Sequence, residues 1–395
     1  MPLALFALAL GAFAIGTTEF VIMGLLPEVA DDLEIAIPTA GHLISAYALG
    51  VVVGAPLLTA LSTRLPRKNA LLLFMGVFLL GNLLTVLAPT HLTVLAARFL
   101  AGIPHGAYLG VAALVAAHLA GPARRATAVA RVMLGLTIAN IVGVPAGTLL
   151  GQLTGWRTAF LVVAVIAGLS LLGVARWVPH VPIGRHGGLR GEFSALAKPQ
   201  VVLGLLTAVF GFAGVFAVYS YISPMMTELA GMSFAGVPVV LALFGVGMTL
   251  GSLLVGPLAD RWLRPTIYGS LASLALVLAL FTMAVHHPWT AALGVVVLGA
   301  VGFGVTAPLQ VLVMSRAGAA PSLASASNHS AFNLANAGGA WVGGVGIAMG
   351  LGYASPAAIG AVLAVVGLGI AVTAGLLDRS AVPEREAVTV PASGG

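Results

Sequence analysis

Residues 39–88 read TAGHLISAYALGVVVGAPLLTALS, then TRLPRK, then NALLLFMGVFLLGNLLTVLA. Two apolar runs, each near the roughly 20 residues that a helix needs to cross a bilayer core, flank six residues carrying Arg64, Arg67 and Lys68. Apolar run, short polar gap, apolar run is the signature of neighbouring membrane helices. The same unit continues in both directions. Twelve apolar runs are found at about 3–26, 39–62, 69–88, 92–119, 127–153, 158–178, 201–227, 237–259, 266–286, 289–315, 322–349 and 356–377. The expected fold is an all-α polytopic membrane protein with twelve transmembrane helices in two six-helix halves.

Charge sets the expected orientation. Fifteen of the seventeen Lys and Arg residues fall in or beside the gaps after even-numbered spans. The gaps after odd-numbered spans hold Arg157 as their single basic residue, alongside Glu28, Asp31, Asp32, Glu34 and Glu228. By the positive-inside rule both termini are cytoplasmic. The first span lacks a preceding positive region and is too long for a signal-peptide core, so it is read as a helix. Scarce Lys with abundant Ala and Gly suggests a GC-rich bacterial gene, hence a bacterial cytoplasmic membrane.

A chain that is 60% hydrophobic and 7% charged, with mean hydropathy +1.10, cannot present an ordinary soluble surface. Its net charge of +6 is loop charge facing anionic lipid, and no basic run with interleaved aromatics points to nucleic acid. The absence of Cys removes disulfides, thiolate metal sites and Cys nucleophiles. No cofactor is expected: Gly302-Phe303-Gly304-Val305-Thr306-Ala307 imitates a dinucleotide loop but lies inside a membrane span. Asn328-His329-Ser330 fits a glycosylation sequon that a membrane span makes inaccessible. The expected partners are a small-molecule substrate, protons and the lipid bilayer, with the chain working as a monomer.

The longest hydrophilic stretch, 179–200, divides the spans six and six, giving bundles 1–178 and 201–377 joined by a cytoplasmic linker and followed by a disordered cytoplasmic tail, 378–395. An internal repeat supports the division. Gly50, Gly54, Arg64 and Arg67 recur 197 residues later as Gly247, Gly251, Arg261 and Arg264. Parallel repeats with substrate between them are a common plan for secondary transporters. Gly102, Gly106 and Gly110 form a ridge in span four, and Gly143, Gly147 and Gly151 another in span five, the spacing that lets helices approach closely.

Several motifs resemble the major facilitator superfamily, and within it the twelve-span drug/proton antiporter branch that includes bacterial sugar-efflux and chloramphenicol-efflux proteins. These are Gly16-Thr17-Thr18-Glu19-Phe20 in span one, Arg98-Phe99-Leu100-Ala101-Gly102 in span four and Gly143-Val144-Pro145-Ala146-Gly147 in span five. Gly155-Trp156-Arg157-Thr158-Ala159-Phe160 and the loop Gly256-Pro257-Leu258-Ala259-Asp260-Arg261 add to them. The resemblance spans about 3–377. It implies that Arg64, Arg67 and Lys68, with Asp260 and Arg261, latch the helices during gating, and that Gly143, Pro145 and Gly147 belong to an antiporter motif. In the first half Ser62-Thr63-Arg64 stands where the family carries Asp-Arg, which implies a weaker latch there. Pro145 is also expected to bend span five, as structure or as hinge.

Two charges lie deep inside spans, away from their ends. Glu19 and Arg98 both sit roughly 10 Å from the outer surface at 1.5 Å per residue, so contact is possible. An unpaired charge in hydrocarbon costs on the order of 3 kcal/mol or more, so each must face a partner or a water-filled cavity. One reading is a fixed ion pair. The other is a proton carrier, Glu19, whose charge Arg98 stabilises until substrate or geometry breaks the pair. Intramembrane ionisable groups are usually functional, which favours the second. His105, seven residues beyond Arg98, falls on the same helix face and is either a proton relay, a substrate contact or a packing residue. His42 and His118 are read as interfacial.

The second half has no such pair, since Phe216 and Val295 stand 197 residues after Glu19 and Arg98. It has polarity without charge. His329, Asn333 and Asn336 form a stripe on span eleven, either interhelical glue or a cavity wall. Tyr219, Ser223, Thr306 and Gln310 are candidates for the same wall, and Thr137 and Asn140 for the facing wall of span five. The combined expectation is a transporter that exports a small neutral or weakly cationic molecule (sugar, nucleoside or antibiotic) by alternating access as protons enter. The antiport direction is implied by the resemblance of span five. An importer on the same fold and a passive channel are the alternatives. An intramembrane enzyme is disfavoured, because the spans hold a single acid and no paired carboxylates or His-Glu-x-x-His.

Overall fold

A computed structural model describes residues 2–62, 64–121, 124–180, 198–317 and 321–380. Most of the expected linker (181–197) and of the expected tail (381–395) lies outside the described residues.

The first crossing is α1 (Pro2–Gly24), followed by the short helix α2 (Leu26–Asp32). α3 (Ile37–Ser62) and α4 (Arg67–Leu87) supply the second and third. α4 stops where Pro89 disfavours helical backbone at Ala88, which is extended (φ −67°, ψ 124°). Thr90 then caps α5 (His91–Gly102) in a reciprocal box with Thr93. α5 and α6 (His105–Ala120) make the fourth crossing, α7 (Arg125–Ile138) and α8 (Val144–Thr154) the fifth, and α9 (Trp156–Trp177) the sixth.

In the second half α10 (Pro199–Ser220) is the seventh crossing, and α11 (Val237–Ala284) holds the eighth and ninth. α12 (Pro288–Gly304) and α13 (Thr306–Ala317) form the tenth, and α14 (Pro321–Ala348) and α15 (Ser355–Ser380) are the last two. Among the described residues ten helices are long and apolar enough to cross a membrane. One of them, Phe234–Ala284, is two crossings joined through a break at Trp262 (φ −140°, ψ 66°). The crossing outside that set is α14, whose Asn, His and Ser residues dilute its apolar character.

Three local expectations change. Span four is not one continuous helix: Pro104 has no N–H to donate, the helix breaks at Ile103-Pro104, and His105 begins a new segment. Of the glycine ridge, Gly102 and Gly106 both pack on α3 across this break, while a Cβ at Gly110 would meet nothing within 4 Å. Asp378, expected in the tail, lies in α15, which runs three residues past Leu377 to Ser380. Around Pro145 the chain widens into a π turn, Ala139–Gly143, which absorbs the lost i→i−4 bond and the clash of the proline ring.

The two halves meet along two seams, α3 against α14, and α8 with the π turn against α11. Ser45 Oγ donates to the Ala337 carbonyl across the first seam (2.9 Å), and Gln152 Nε2 donates to the Phe234 carbonyl across the second (3.1 Å). Gly41 of α3 and Gly344 of α14 leave the notch in which the Tyr221 hydroxyl sits, 2.8 Å from the Ala340 carbonyl. Pro38, Gly41, Gly344 and Phe234 belong to the end of the molecule that carries Glu28, Asp31 and Asp32, and this acidic end is where the halves close on each other.

Candidate functional site

The 197-residue repeat is a repeat of contacts. In the first half, a Cβ on Gly50 would strike the backbone of Phe99, one on Gly54 that of Ile103, and one on Gly102 that of Tyr47. In the second half, Gly247 meets Val296, Gly251 meets Ala300 and Gly299 meets Phe244, each partner 197 residues on from its counterpart. Both halves therefore pack their second crossing against their fourth with backbones in touch, as small residues allow. On this shared frame Tyr47 matches Phe244, Arg98 matches Val295 and His105 matches Gly302.

Arg98 is fully buried in the first half. Its guanidinium lies over the Tyr47 ring (4.5 Å from Cζ to centroid) and beside that of Phe160 (5.2 Å). Nη1 donates to Thr18 Oγ1 at 3.2 Å, Thr18 donates to Asn82 Oδ1 at 2.6 Å, and Asn82 Nδ2 is held by the Phe78 carbonyl at 2.8 Å. Nε and Nη2 have no hydrogen-bond partner. Burying a guanidinium costs several kcal/mol, while a cation–π contact returns about 0.5–2 kcal/mol and one neutral hydrogen bond about 1 kcal/mol. Arg98 is therefore not there to stabilise the fold.

Glu19 is one residue along α1 from Thr18, and it is buried. The ion pairs among the described residues are Arg157–Asp32, Arg264–Asp378 and Arg316–Asp378, so the fixed Glu19–Arg98 ion pair of the first reading is not formed. The two charges nonetheless act on each other, and the Glu19 carboxyl faces Asn336 of α14. That approach falls short of a hydrogen bond, because neither amide atom of Asn336 has a partner. Tyr219 of α10 also feels the Glu19 charge. Its ring stacks on Phe244 at 3.9 Å and meets Phe20 edge-on at 5.8 Å, while Phe20 stacks on Phe216, the residue matched to Glu19. The acid thus sits where the first half touches the aromatic wall of the second.

His105 opens α6 with its Nδ1 3.1 Å from the Tyr47 hydroxyl. His329 of α14 lies close enough to act electrostatically on it from the other half. The structure therefore brings together Glu19, Arg98, His105, Tyr219, His329 and Asn336 from both halves. Asn333 is on the same helix, with Nδ2 donating to the His329 carbonyl (3.1 Å) and Oδ1 unpartnered. Asn140 lies in the second seam: its Nδ2 donates to the Leu136 carbonyl (2.9 Å), its Oδ1 is unpartnered, and its backbone carbonyl presses on Gly245. Ser223 is buried in a single turn after α10 with an unpartnered hydroxyl. Thr306 uses its hydroxyl on the Phe303 carbonyl (2.7 Å), and Gln310 and Thr137 are half-buried on α13 and α7.

The gating residues are distributed differently. Gly143 and Gly147 abut Thr17 and Val21 of α1, so the span-five motif packs beside the acid's helix. Arg64, Asp260 and Arg261 are exposed, Arg67 is half-buried, and Lys68 Nζ donates to the Ala175 carbonyl (2.7 Å). The charge cluster at the basic end of the second half is made instead by Arg264 and Arg316, which converge on Asp378. Arg157, the basic exception at the acidic end, pairs with Asp32, lies over the Trp156 ring (4.4 Å) and donates to the Ala88 carbonyl (3.1 Å). Partial desolvation pushes the Asp32 carboxyl up, but the Trp156 and Arg157 hydrogen bonds and the Arg157 charge outweigh it and hold it below its ordinary value. His42 is exposed and its ring lies 6.4 Å from that of His91.

Sequence reasoning missed Tyr47, Thr18, Asn82 and Phe160, which hold Arg98, and Asn328, a fully buried amide with both polar atoms unpartnered. Tyr47 carried a usable signal: it is the polar member of a repeat pair whose other member is Phe244.

Residues 8–344 match the family model described as Major Facilitator Superfamily. The chain belongs to the major facilitator superfamily. It is 43% identical to the inner membrane transport protein YdhP of Escherichia coli over 360 residues, 91% of this chain and 92% of the relative. It is 34% identical to a chloramphenicol resistance protein of Streptomyces lividans over 345 residues, 86% and 88% of the two chains. Its fold is similar to the crystal structure of a D-xylose-proton symporter, with a TM-score of 0.74 over 93% of this chain and 96% of that one at 16% identity. A major facilitator protein is a transporter and not an enzyme, and the intramembrane cluster is to be understood as transport machinery.

Proposed function

We propose that this major facilitator protein is a proton-driven exporter of the bacterial inner membrane, exchanging a cytoplasmic small molecule for an external proton. The observation that carries the reading is Glu19, a buried acid left unpaired by the buried cation nearest it and facing an unpartnered amide of the opposite half. An acid in that position changes its surroundings whenever the halves move, which is what coupling requires. The basic end is the cytoplasmic one, with both termini there. In this reading the seams at the acidic end close the outer side, and the exposed Asp260 and Arg261 accord with a latch that is disengaged.

The unpartnered Oδ1 atoms of Asn140 and Asn333 and the unpartnered amide of Asn336, with the stacked rings of Tyr219 and Phe244, suit a neutral or weakly cationic molecule with hydrogen-bonding groups and an apolar face. Export rather than import is supported by the relative whose name records chloramphenicol resistance. The chain is taken to act as a monomer with protons, lipid and substrate as its partners. The test is reconstitution in liposomes under an imposed proton gradient, with sugars, nucleosides and amphenicols screened for substrate-dependent proton flux. A compound that moves protons through the wild type and not through Glu19→Gln supports the reading. Equal flux in both removes Glu19 from the coupling site.

A further inference from the structure

The repeat supplies a control inside the molecule. Tyr47, Arg98 and His105 occupy places that the second half fills with Phe244, Val295 and Gly302, on the same glycine-built backbone contacts. Packing therefore asks for none of the three polar groups. They are also joined. The Arg98 guanidinium covers the Tyr47 ring, the Glu19 and Arg98 charges both act on Tyr47, and the Tyr47 hydroxyl lies 3.1 Å from His105 Nδ1. His105 is buried, whereas His329, on the neighbouring helix α14 of the other half, is exposed.

We propose that Tyr47, His105 and His329 are the proton's way out of the Glu19 site, and that rocking of the halves makes and breaks this path where α6 neighbours α14, between His105 and His329. The proposal rests on the proton-coupled reading of Glu19. In the transfer, Tyr47 accepts a proton from the Glu19 carboxyl, directly or through one water, as it passes its own hydroxyl proton to His105 Nδ1. His105 releases the proton on Nε2 to His329, which sheds it to water at its exposed face. Tyr47 ends unchanged, Glu19 has lost one proton, and His105 keeps its proton count but carries it on Nδ1 until exchange with water, one proton lost at Nδ1 and one gained at Nε2, restores the first tautomer. His105 belongs to α6 and His329 to α14, so motion of one half against the other separates them. An unbroken path to both sides of the membrane would leak protons, and a step that crosses from one half to the other prevents that.

The experiment needs no substrate. The protein in lipid nanodiscs is given a pH jump, and the infrared band of its protonated intramembrane carboxyl is followed in time, with Glu19→Gln identifying the band. Tyr47→Phe, His105→Gln and His329→Gln are expected to leave the band's amplitude near wild type and slow its change on the order of a hundred-fold, the lower range for loss of a positioned proton-transfer group. Phe at the matched place 244 shows that this frame accepts Phe for Tyr, so Tyr47→Phe is expected to fold. Wild-type rates in all three variants would overturn the path while leaving Glu19 as the coupling acid. A band that survives Glu19→Gln would overturn the coupling reading itself, and the path with it.

Discussion

The first and second halves share a backbone plan and divide the chemistry unequally. Gly50, Gly54 and Gly102 in one, and Gly247, Gly251 and Gly299 in the other, bring the second and fourth crossings into backbone contact at matched places. The first half sets Tyr47, Arg98 and His105 on that frame, whereas the second sets Phe244, Val295 and Gly302. The difference separates what holds the helices together from what is held between them. It also places the acid and its cation in one half and leaves the other to supply unpartnered amides and stacked rings, so that the site is complete only where the halves meet.

The largest effects should come from erasing that difference. Arg98→Met is expected to lower proton-coupled flux on the order of a hundred-fold or more. Its melting temperature should hold or rise, because replacing a buried charge by an apolar group is commonly neutral or stabilising by about 1–4 kcal/mol. Val295→Ala at the matched place should leave flux near wild type, and a comparable loss there would break the comparison. Next in size are the glycines that the halves share. Gly54→Ala and Gly251→Ala should each cost about 1–3 kcal/mol through overpacking, and by similar amounts, as read from thermal unfolding. A cost confined to one of them would mean that the contacts are not equivalent.

Asn336→Leu should sharpen the contrast further. Its amide has no partner to lose, so stability should be unaffected, while affinity for a transported compound should fall about ten-fold, the equivalent of about 1.4 kcal/mol. The smallest effect concerns the Asp32–Arg157 pair at the acidic end, whose matched places hold Leu229 and Ala354. Asp32→Asn should cost about 0.5 kcal/mol, since the pair is substantially exposed. The Asp32 carboxyl is held below its ordinary value of 3.8. Its contribution is therefore complete above pH 3.8 and disappears as pH falls through the lower folded value, so wild type and Asp32→Asn should converge in melting temperature only in that acid range.

Much of the candidate site was legible because charge inside an apolar span stands out whatever surrounds it. Glu19 and Arg98 announce themselves, and the stripe of His329, Asn333 and Asn336 shows in helical spacing. Tyr47 did not stand out, since a tyrosine in an apolar helix reads as packing until its partners are known. Pro104 signals a break in span four, yet the helical spacing that sets His105 on the Arg98 face holds across it. In the structure the two are linked through Tyr47, across a break. Its charge alone sets Asp378 in the tail. A carboxylate that two arginines approach can remain in a helix.

What the sequence by itself determined is the membrane, the twelve crossings and the repeat. Each follows from local apolar length, from the placement of basic residues and from residues compared at a fixed offset, none of which depends on how the helices pack. Only the tertiary structure decided that Glu19 and Arg98 form no ion pair, that Arg98 rests on Tyr47 and Phe160, and that His105 meets the Tyr47 hydroxyl. Those are distances between residues far apart in the chain, set by where glycine lets one backbone approach another and where proline interrupts a helix, and periodicity along a single helix carries no record of them.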